Sequence, residues 1–241
     1  MNFMLVIYGD DESRLSYQSK VTDSTVPRCV QVNDVRFIAK ISLLPPSTAT
    51  SVRVRDGRRQ VLTGPVPETS LHVVWCGVVD VPAIEDAIAI SKRIPLMENE
   101  SIEVRAVMEL EGRPPEKPFS EDNNELKMML LSFDDEQAWT AAGTEAFRAA
   151  VNEAVELTHR LNARGQYHAA SPLESSSSGK RIRVRDGQPV LTDGPFVETR
   201  EVLGGYYLLS VKDLDEAIAI AEQHPGVRFG TAELRQIYTL E

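Results

Sequence analysis

The sequence predicts an α+β protein built from two copies of one unit, each with an antiparallel sheet that has helices on one face. Two observations predict it: the chain repeats itself at a constant spacing, and strands and helices follow the same order in each repeat. Residues 52–69 read VRVRDGRRQVLTGPVPET and residues 182–199 read IRVRDGQPVLTDGPFVET, with nine of eighteen positions identical at an offset of 130. A register held over this length indicates an internal duplication.

The register continues on both sides of this segment. Residues 86–90 (DAIAI) fall on 216–220 (EAIAI) at the same offset, and residues 4–7 (MLVI) match 128–131 (MMLL) at an offset of 124. The first copy is therefore about six residues shorter. We predict a degenerate first domain over 1–110, a linker over 111–125 and a second domain over 126–241. The linker has three prolines and five acids against two bases, which is typical of an extended, solvated segment.

The second copy gives the clearer order of elements. Apolar spacing and turn residues predict a strand at 127–133, a helix at 144–164 capped by Thr144, a strand at 166–170, a hairpin at 181–192, a strand at 202–211, a helix at 213–223 and a strand at 231–238. The Asp186-Gly187 pair predicts a tight hairpin turn. The helix presents one apolar stripe: Phe147, Val151, Ala154, Thr158 and Leu161. The order is that of a βαββαβ, ferredoxin-like unit with an inserted hairpin.

The first copy follows this plan less well. Its first helix is doubtful because the region is rich in β-branched residues and contains Pro27. One face of each sheet has no helices and needs cover. We therefore expect the two sheets to pack face to face, as an intramolecular dimeric α/β-barrel.

Composition narrows the function classes. Lys and Arg number 26 against 36 Asp and Glu, so the net charge of −10 disfavours nucleic acid and anionic membranes as partners. No apolar run approaches a membrane span, and the acidic start lacks the basic region of a signal peptide. Two cysteines form no disulfide framework, and phosphate-loop, dinucleotide and metal motifs are absent. We expect a cytoplasmic protein without cofactor or metal, and self-association is plausible.

Residues 193–201 (DGPFVETRE), followed by 203–208 (LGGYYL), resemble the signature of the DGPF proteins of the YCII-related family. The resemblance covers essentially 127–238, and more weakly the first copy. It implies a ferredoxin-like fold that pairs sheet to sheet into a dimeric α/β-barrel, in a mostly uncharacterised family. Some relatives are thought to be small-molecule enzymes with a His–Asp pair, one is linked to dehalogenation of an aromatic, and many are encoded beside alternative sigma factors.

Asp193 is the leading catalytic candidate. It is absent from the first copy, where Thr63 stands, and Pro195 holds it at a rigid bend, where its carboxylate would act as general acid or base. The alternative is that Asp193 caps its own turn. His168 would pair with Asp193 if it faces the space between the sheets, and is otherwise a structural histidine. We expect at most one competent site, in the second copy.

Ligand-binding candidates surround this motif. They are Phe196, Glu198, Tyr206 and Tyr207, of which the two tyrosines should point to opposite faces of their strand. The arginines of the two hairpins either bind an anion or keep exposed strands soluble. His159 and His224 are expected at a helix boundary and a helix end, and His72 is a weak candidate.

Two function hypotheses remain open. The first is a small-molecule-binding enzyme with an acid–base pocket between the sheets, centred on Asp193. The second is a non-catalytic binding or regulatory module associated with an alternative sigma factor, in keeping with the degenerate first copy.

Overall fold

A computed structural model of the chain describes residues 1–10, 37–65, 71–97, 99–119, 125–185, 187–194 and 200–238. The described strands are β1 Asn2–Gly9, β2 Phe37–Leu43, β3 Thr50–Arg55, β4 Arg58–Thr63, β5 His72–Asp80, β6 Ser101–Ala106, β7 Leu126–Asp134, β8 Tyr167–Pro172, β9 Lys180–Arg185, β10 Gln188–Asp193, β11 Val202–Val211 and β12 Thr231–Tyr238. The described helices are α1 Ile84–Ser91, α2 Glu136–Ala142, α3 Thr144–Ala163 and α4 Leu214–Ala221. We call residues 1–110 the N-terminal half and residues 126–238 the C-terminal half.

The expected α+β class is confirmed, and the strands pair antiparallel. In the C-terminal half the strands lie in the order β12-β7-β11-β8, with helices between β7 and β8 and between β11 and β12. This is the strand order of a ferredoxin-like βαββαβ unit. In the N-terminal half the order is β6-β1-β5-β2. Its expected first helix falls in 11–36, outside the described residues.

Because side chains alternate between the two faces of a strand, the core forms a separate layer on each face of the sheet. On β7, Met128 and Leu130 pack against helices α3 and α4, whereas Met129 and Leu131 point to the opposite face. That opposite face belongs to an apolar cluster shared by both halves, in which Met4 and Val6 of β1 also lie. A third cluster packs α1 on the N-terminal strands. Each fully buried aliphatic side chain contributes about 1.5–3 kcal/mol, so the shared cluster binds the halves strongly.

The hairpin of each half pairs with a strand of the other half. The β9–β10 hairpin of the C-terminal half pairs with β6, and the β3–β4 hairpin of the N-terminal half pairs with β12. The registers correspond at the offset of 130, because Ile102 faces Ile182 in one pairing and Ala232 faces Val52 in the other. The hairpin turn is as predicted where it is described: Asp56 and Gly57 both have positive φ, 51° and 69°.

A buried arginine of the N-terminal half reaches across to the C-terminal half. Arg105 on β6 is paired with Glu103 at 2.8 Å, and both side chains are almost fully buried. The guanidinium donates to the carbonyl oxygen of Glu174 at 3.1 Å and to that of Leu203. The Arg105 charge is therefore neutralised within its own strand while its remaining donors bind the other half.

The C-terminal half makes the matching contact. Arg235 on β12 is paired with Glu233 at 3.0 Å and donates to the carbonyl oxygens of Val73, at 3.0 Å, and Leu44. Every partner in this set lies 130 residues from its counterpart around Arg105. Such reciprocity is the mark of a two-fold related interface.

The predicted linker is extended but bound. Its described part, 111–119, runs along the C-terminal half, where the Lys117 amide donates to the His168 carbonyl at 2.8 Å. The Lys117 ammonium donates to Asn162 at 2.7 Å, and the Tyr167 hydroxyl donates to the Pro114 carbonyl at 3.3 Å. Most of this part is exposed, as expected of a solvated linker, but these hydrogen bonds hold it on the C-terminal half.

One helix was missed by the sequence analysis. Helix α2 begins after Asp135, whose carboxylate accepts the Ala138 amide at 2.9 Å, and it ends at Gly143 with φ of 87°. Helix α3 then starts directly, with Gly143 in place of the expected Thr144 as its cap. None of the helices in the described ranges is long and apolar enough to cross a membrane.

Arg235→Met should lower the free energy of unfolding by about 3–5 kcal/mol, because it leaves the Glu233 carboxylate buried without its partner. The exposed Arg183→Met is the matched control and should change it by less than about 1 kcal/mol. Urea unfolding at pH 7 measures both. Equal stability of the two variants would contradict the structural role of the buried pair.

Candidate functional site

A cavity of about 630 Å³ lies in the C-terminal half, between the sheet and helices α2 and α3. We call it the α2–α3 cavity. Its floor comes from β7, β8 and β11, and one side is closed by the turn at Pro225–Arg228. Met108 and Leu110 of the N-terminal half complete the wall. The volume is typical of a site for a small organic molecule.

Asp134, at the end of β7, is a half-buried acid in the lining of this cavity. The Ser132 hydroxyl donates to its Oδ1 at 3.2 Å, and the Trp139 indole also hydrogen-bonds the carboxylate. Burial raises the pKa of Asp134 to about 6, since desolvation and the nearby Glu201 and Glu136 charges outweigh the two hydrogen bonds. The carboxyl group therefore changes protonation close to neutral pH.

Two glycines give the Asp134 side chain its room. A Cβ on Gly204, the extra residue of a bulge in β11, would lie 1.9 Å from Asp134 Oδ2. A Cβ on Gly226 would lie 2.8 Å from Asp134 Oδ1 and 2.9 Å from His224 Cε1. A Cβ on Gly205 would also lie 2.9 Å from the Ser171 carbonyl oxygen, so both glycines of this pair allow a close approach of neighbouring groups.

His224 lies beside Asp134 as a neutral ring. The Gly226 amide donates to its Nδ1 at 3.2 Å, so the proton of the neutral imidazole is on Nε2. Burial and the nearby Arg228 charge lower the His224 pKa to about 4. No group in the described part of the chain hydrogen-bonds Nε2. The ring packs edge-on against Tyr207, with centroids 5.2 Å apart.

Aromatic side chains form the outer wall of the cavity. Trp139 of α2 packs edge-to-face on Phe147 of α3, with centroids 5.7 Å apart, and on Phe229 at 4.6 Å. Phe147 is 44% exposed, although the sequence predicted it on the buried stripe. It lines the cavity with Val151 and Ala154, while the buried face of α3 is formed by Ala150, Leu157, Thr158 and Leu161.

The structure places Asp193 away from this cavity. It ends β10, an edge strand, with its side chain 82% exposed and bonded to the Lys180 ammonium at 2.7 Å. The Asp193 side chain does not face the expected cleft. Among the described strands, β10 has only β9 as a neighbour, so it lies at the edge of the sheet. Its catalytic role stays a prediction. Phe196 and Glu198 lie outside the described residues.

His168 does not form the expected pair with Asp193. Its Nε2 bonds the Ser210 hydroxyl at 2.8 Å, and its Nδ1 bonds the Pro118 carbonyl at 3.1 Å. Its ring stacks at a tilt on Phe119, with centroids 4.2 Å apart. Burial lowers the pKa of His168, so the ring is neutral at pH 7. These contacts match the structural alternative for His168.

Tyr206 and Tyr207 point to opposite faces of β11, as expected. Tyr206 lies in the cluster shared by the halves and Tyr207 in the cluster under the helices, and both contribute to the cavity lining. The Tyr207 hydroxyl donates to the Ala154 carbonyl at 3.4 Å, and that of Tyr206 bonds Ser171. Burial raises the pKa of both hydroxyls. Their role in ligand binding stays a prediction.

Two of the hairpin arginines form ion pairs with the C-terminal half, while the expected alternatives of anion binding and strand solubility stay predictions. Arg55 donates to Glu201 at 2.9 Å, and Arg59 pairs with Glu222 at 2.5 Å, so both tie the β3–β4 hairpin to the C-terminal half. His159 contacts the Gly112 carbonyl at 2.6 Å, at the surface of α3.

Asp134 was not among the site residues predicted from the sequence. The sequence did contain an indication of this site. Ser132 and Asp134 are polar, although they occupy helix-facing positions of an otherwise apolar strand. An apolar cluster shared by both halves lies between the sheets, where the sequence predicted a pocket, and that pocket stays a prediction. Among the described residues, no three His, Cys, Asp or Glu side chains are arranged to hold a metal ion.

Asp134→Asn should stabilise the protein at pH 8, and little at pH 4. The pKa of this aspartate is ordinary in the unfolded chain and raised in the folded protein, so the carboxyl group favours folding most at low pH. This contribution is lost as the pH rises through 6. The gain at pH 8 should reach up to about 3 kcal/mol. Unfolding by urea at both pH values measures it, with the exposed Asp193→Asn as the control. A gain that does not change with pH would refute the raised pKa.

Residues 126–241 match a family model described as the YCII-related domain. An uncharacterised protein of Rhizobium meliloti (strain 1021) is 27% identical over 92 residues, which are 38% of this chain and 74% of that protein. A solved structure described provisionally as a chlorite dismutase aligns over 99% of this chain and 94% of its own, with a TM-score of 0.37 and 9% identity. The similarity to the YCII-related domain thus covers the C-terminal half of this chain.

Proposed function

We propose that the α2–α3 cavity binds a small organic molecule and that Asp134 exchanges a proton with it. The observation that carries this proposal is the half-buried Asp134 carboxyl, which lines a cavity of about 630 Å³ and whose pKa is raised to about 6. An acid or base is most effective when its pKa lies near the working pH. Perturbed carboxyl groups in clefts are typical of functional sites.

Each neighbour of Asp134 has a role in this proposal. The Trp139 indole and the Ser132 hydroxyl hold the carboxylate in one orientation. As a base, the carboxylate takes a proton from the bound molecule, and in its protonated form it returns one. The neutral His224 offers its Nε2–H to an oxygen or nitrogen on which negative charge develops. Both the Asp134 Oδ1 and the His224 ring lie within 3 Å of one point in front of Gly226.

In the same proposal the chain is a tandem pair of YCII-related units that closes as an intramolecular dimeric α/β-barrel. Support comes from the matching strand orders, the exchanged hairpins and the reciprocal arginine contacts. The N-terminal unit keeps an aspartate at the site but lacks one of its tyrosines. At the counterpart of Asp134, offset 124, stands Asp10, which bonds Asn99 at 3.1 Å, and Cys76 stands at the counterpart of Tyr206. Its remaining task is to complete the other unit's cavity.

The test compares two carboxylates by the same substitution. Once a screen identifies a molecule that the protein converts, Asp134→Asn should lower kcat by about 100-fold or more, the typical contribution of general acid–base catalysis. Asp193→Asn should keep kcat within about threefold, because its side chain faces solvent.

The reverse pattern, with Asp193→Asn inactive and Asp134→Asn active, would overturn this assignment in favour of the turn carboxylate. If molecules bind in the cavity but none is converted, the site belongs to a binding or regulatory module. Co-purification with a sigma factor would then be the next measurement.

A further inference from the structure

The described residues that line the α2–α3 cavity include three acids and no lysine or arginine. The acids are Asp134, Glu136 and Glu174. Both oxygens of Glu136 are engaged, since they accept the Ser176 amide and the Ser176 hydroxyl, each at 2.8 Å. Asp134 has one weak contact at 3.2 Å from Ser132 besides the Trp139 indole. The negative charge of the cavity therefore has no cationic partner within the lining.

The basic ring in the lining does not supply this charge. His224 is held neutral by burial and by the Arg228 charge behind it, so it stays uncharged when Asp134 ionises. Only 9% of His224 is exposed, and no described residue bonds its Nε2. An anionic ligand would meet the Asp134 charge with no compensation, and like charges in a desolvated site repel strongly.

The cavity walls suit a flat apolar body. Trp139 and Phe147 offer ring faces and edges, and Val151, Ala154 and Leu173 offer aliphatic surface. Aromatic rings, tryptophan above all, also attract a cation placed over the ring face. A positive group at the Asp134 end would thus be stabilised by a carboxylate and by neighbouring rings.

We infer that the ligand of the α2–α3 cavity is an apolar, aromatic amine whose protonated nitrogen binds the Asp134 carboxylate. This inference deepens the proposed function and rests on it, because it names the ligand class for the same cavity. Charge-assisted N–H···O bonds are about twice as strong as neutral ones, so charge should decide affinity among molecules of equal shape.

The test uses three probes of similar size: phenethylamine as the cation, 2-phenylethanol as the neutral analogue and phenylacetate as the anion. Binding is read from the indole N–H NMR signal of Trp139, which is one of two tryptophans in the chain. We expect phenethylamine to bind about tenfold tighter than 2-phenylethanol, which corresponds to about 1.4 kcal/mol. Phenylacetate should bind more weakly than the alcohol.

Asp134→Asn should bring the affinities of amine and alcohol to within about threefold while the alcohol still binds, since the substitution removes charge and keeps shape. Asp215→Asn, an exposed carboxylate in the first turn of α4, is the matched control and should preserve the preference. In the unaltered protein, affinity for the amine should rise between pH 5 and pH 7.5, because Asp134 ionises over this range.

Two results would overturn the inference, and they have different consequences for the proposed function. If the alcohol or phenylacetate shifts the Trp139 signal at equal or lower concentration than the amine, the cavity is a ligand site for another chemical class. If none of the three probes shifts it at about 10 mM, a weak fragment affinity, the cavity accepts no apolar ligand, and the proposed function fails as well.

Discussion

Two buried arginines hold the halves of this protein together, and the site depends on them. Arg105 and Arg235 are each neutralised by a glutamate of their own strand and donate their remaining hydrogens to carbonyls of the other half. Hydrogen bonds from a charged donor contribute about 1.5–3 kcal/mol each, so these contacts stabilise the association of the halves. Arg105 binds the carbonyl of Glu174, which lines the cavity, and the carbonyl of Leu203. Leu203 precedes Gly204, which packs against Asp134. The N-terminal half thereby fixes the cavity wall of the C-terminal half.

Local sequence predicted the regular strands well. Val202–Val211 and Thr231–Tyr238 have the bounds that their apolar patterns indicated, because both strands are buried along most of their length. Helix Glu136–Ala142 was missed for the opposite reason: it is seven residues long and buries no side chain, so it has no apolar stripe to detect. The shared apolar cluster was anticipated only as a general need to cover the sheets.

The candidate site was harder to predict, because its chemistry is created by residues far apart in the chain. The raised pKa of Asp134 depends on burial beneath α2 and against Gly204, 70 positions later, which no local pattern reveals. Asp193 has the stronger local motif, yet its position on an edge strand exposes it to solvent. His168 contacts Pro118 and Phe119 of the 111–119 segment, whose composition had indicated an extended, solvated linker. Motif and turn chemistry therefore indicated a carboxylate of the C-terminal half other than the one that lines the cavity.

In the proposed function, the α2–α3 cavity holds a desolvated carboxyl group that exchanges a proton near neutral pH. Carbon-13 NMR of the Asp134 side-chain carboxyl across a pH titration measures this most directly, with the Asp134→Asn protein used to assign the signal. The account predicts a midpoint at about 6. A midpoint near 4, the ordinary value for an aspartate in water, would contradict it.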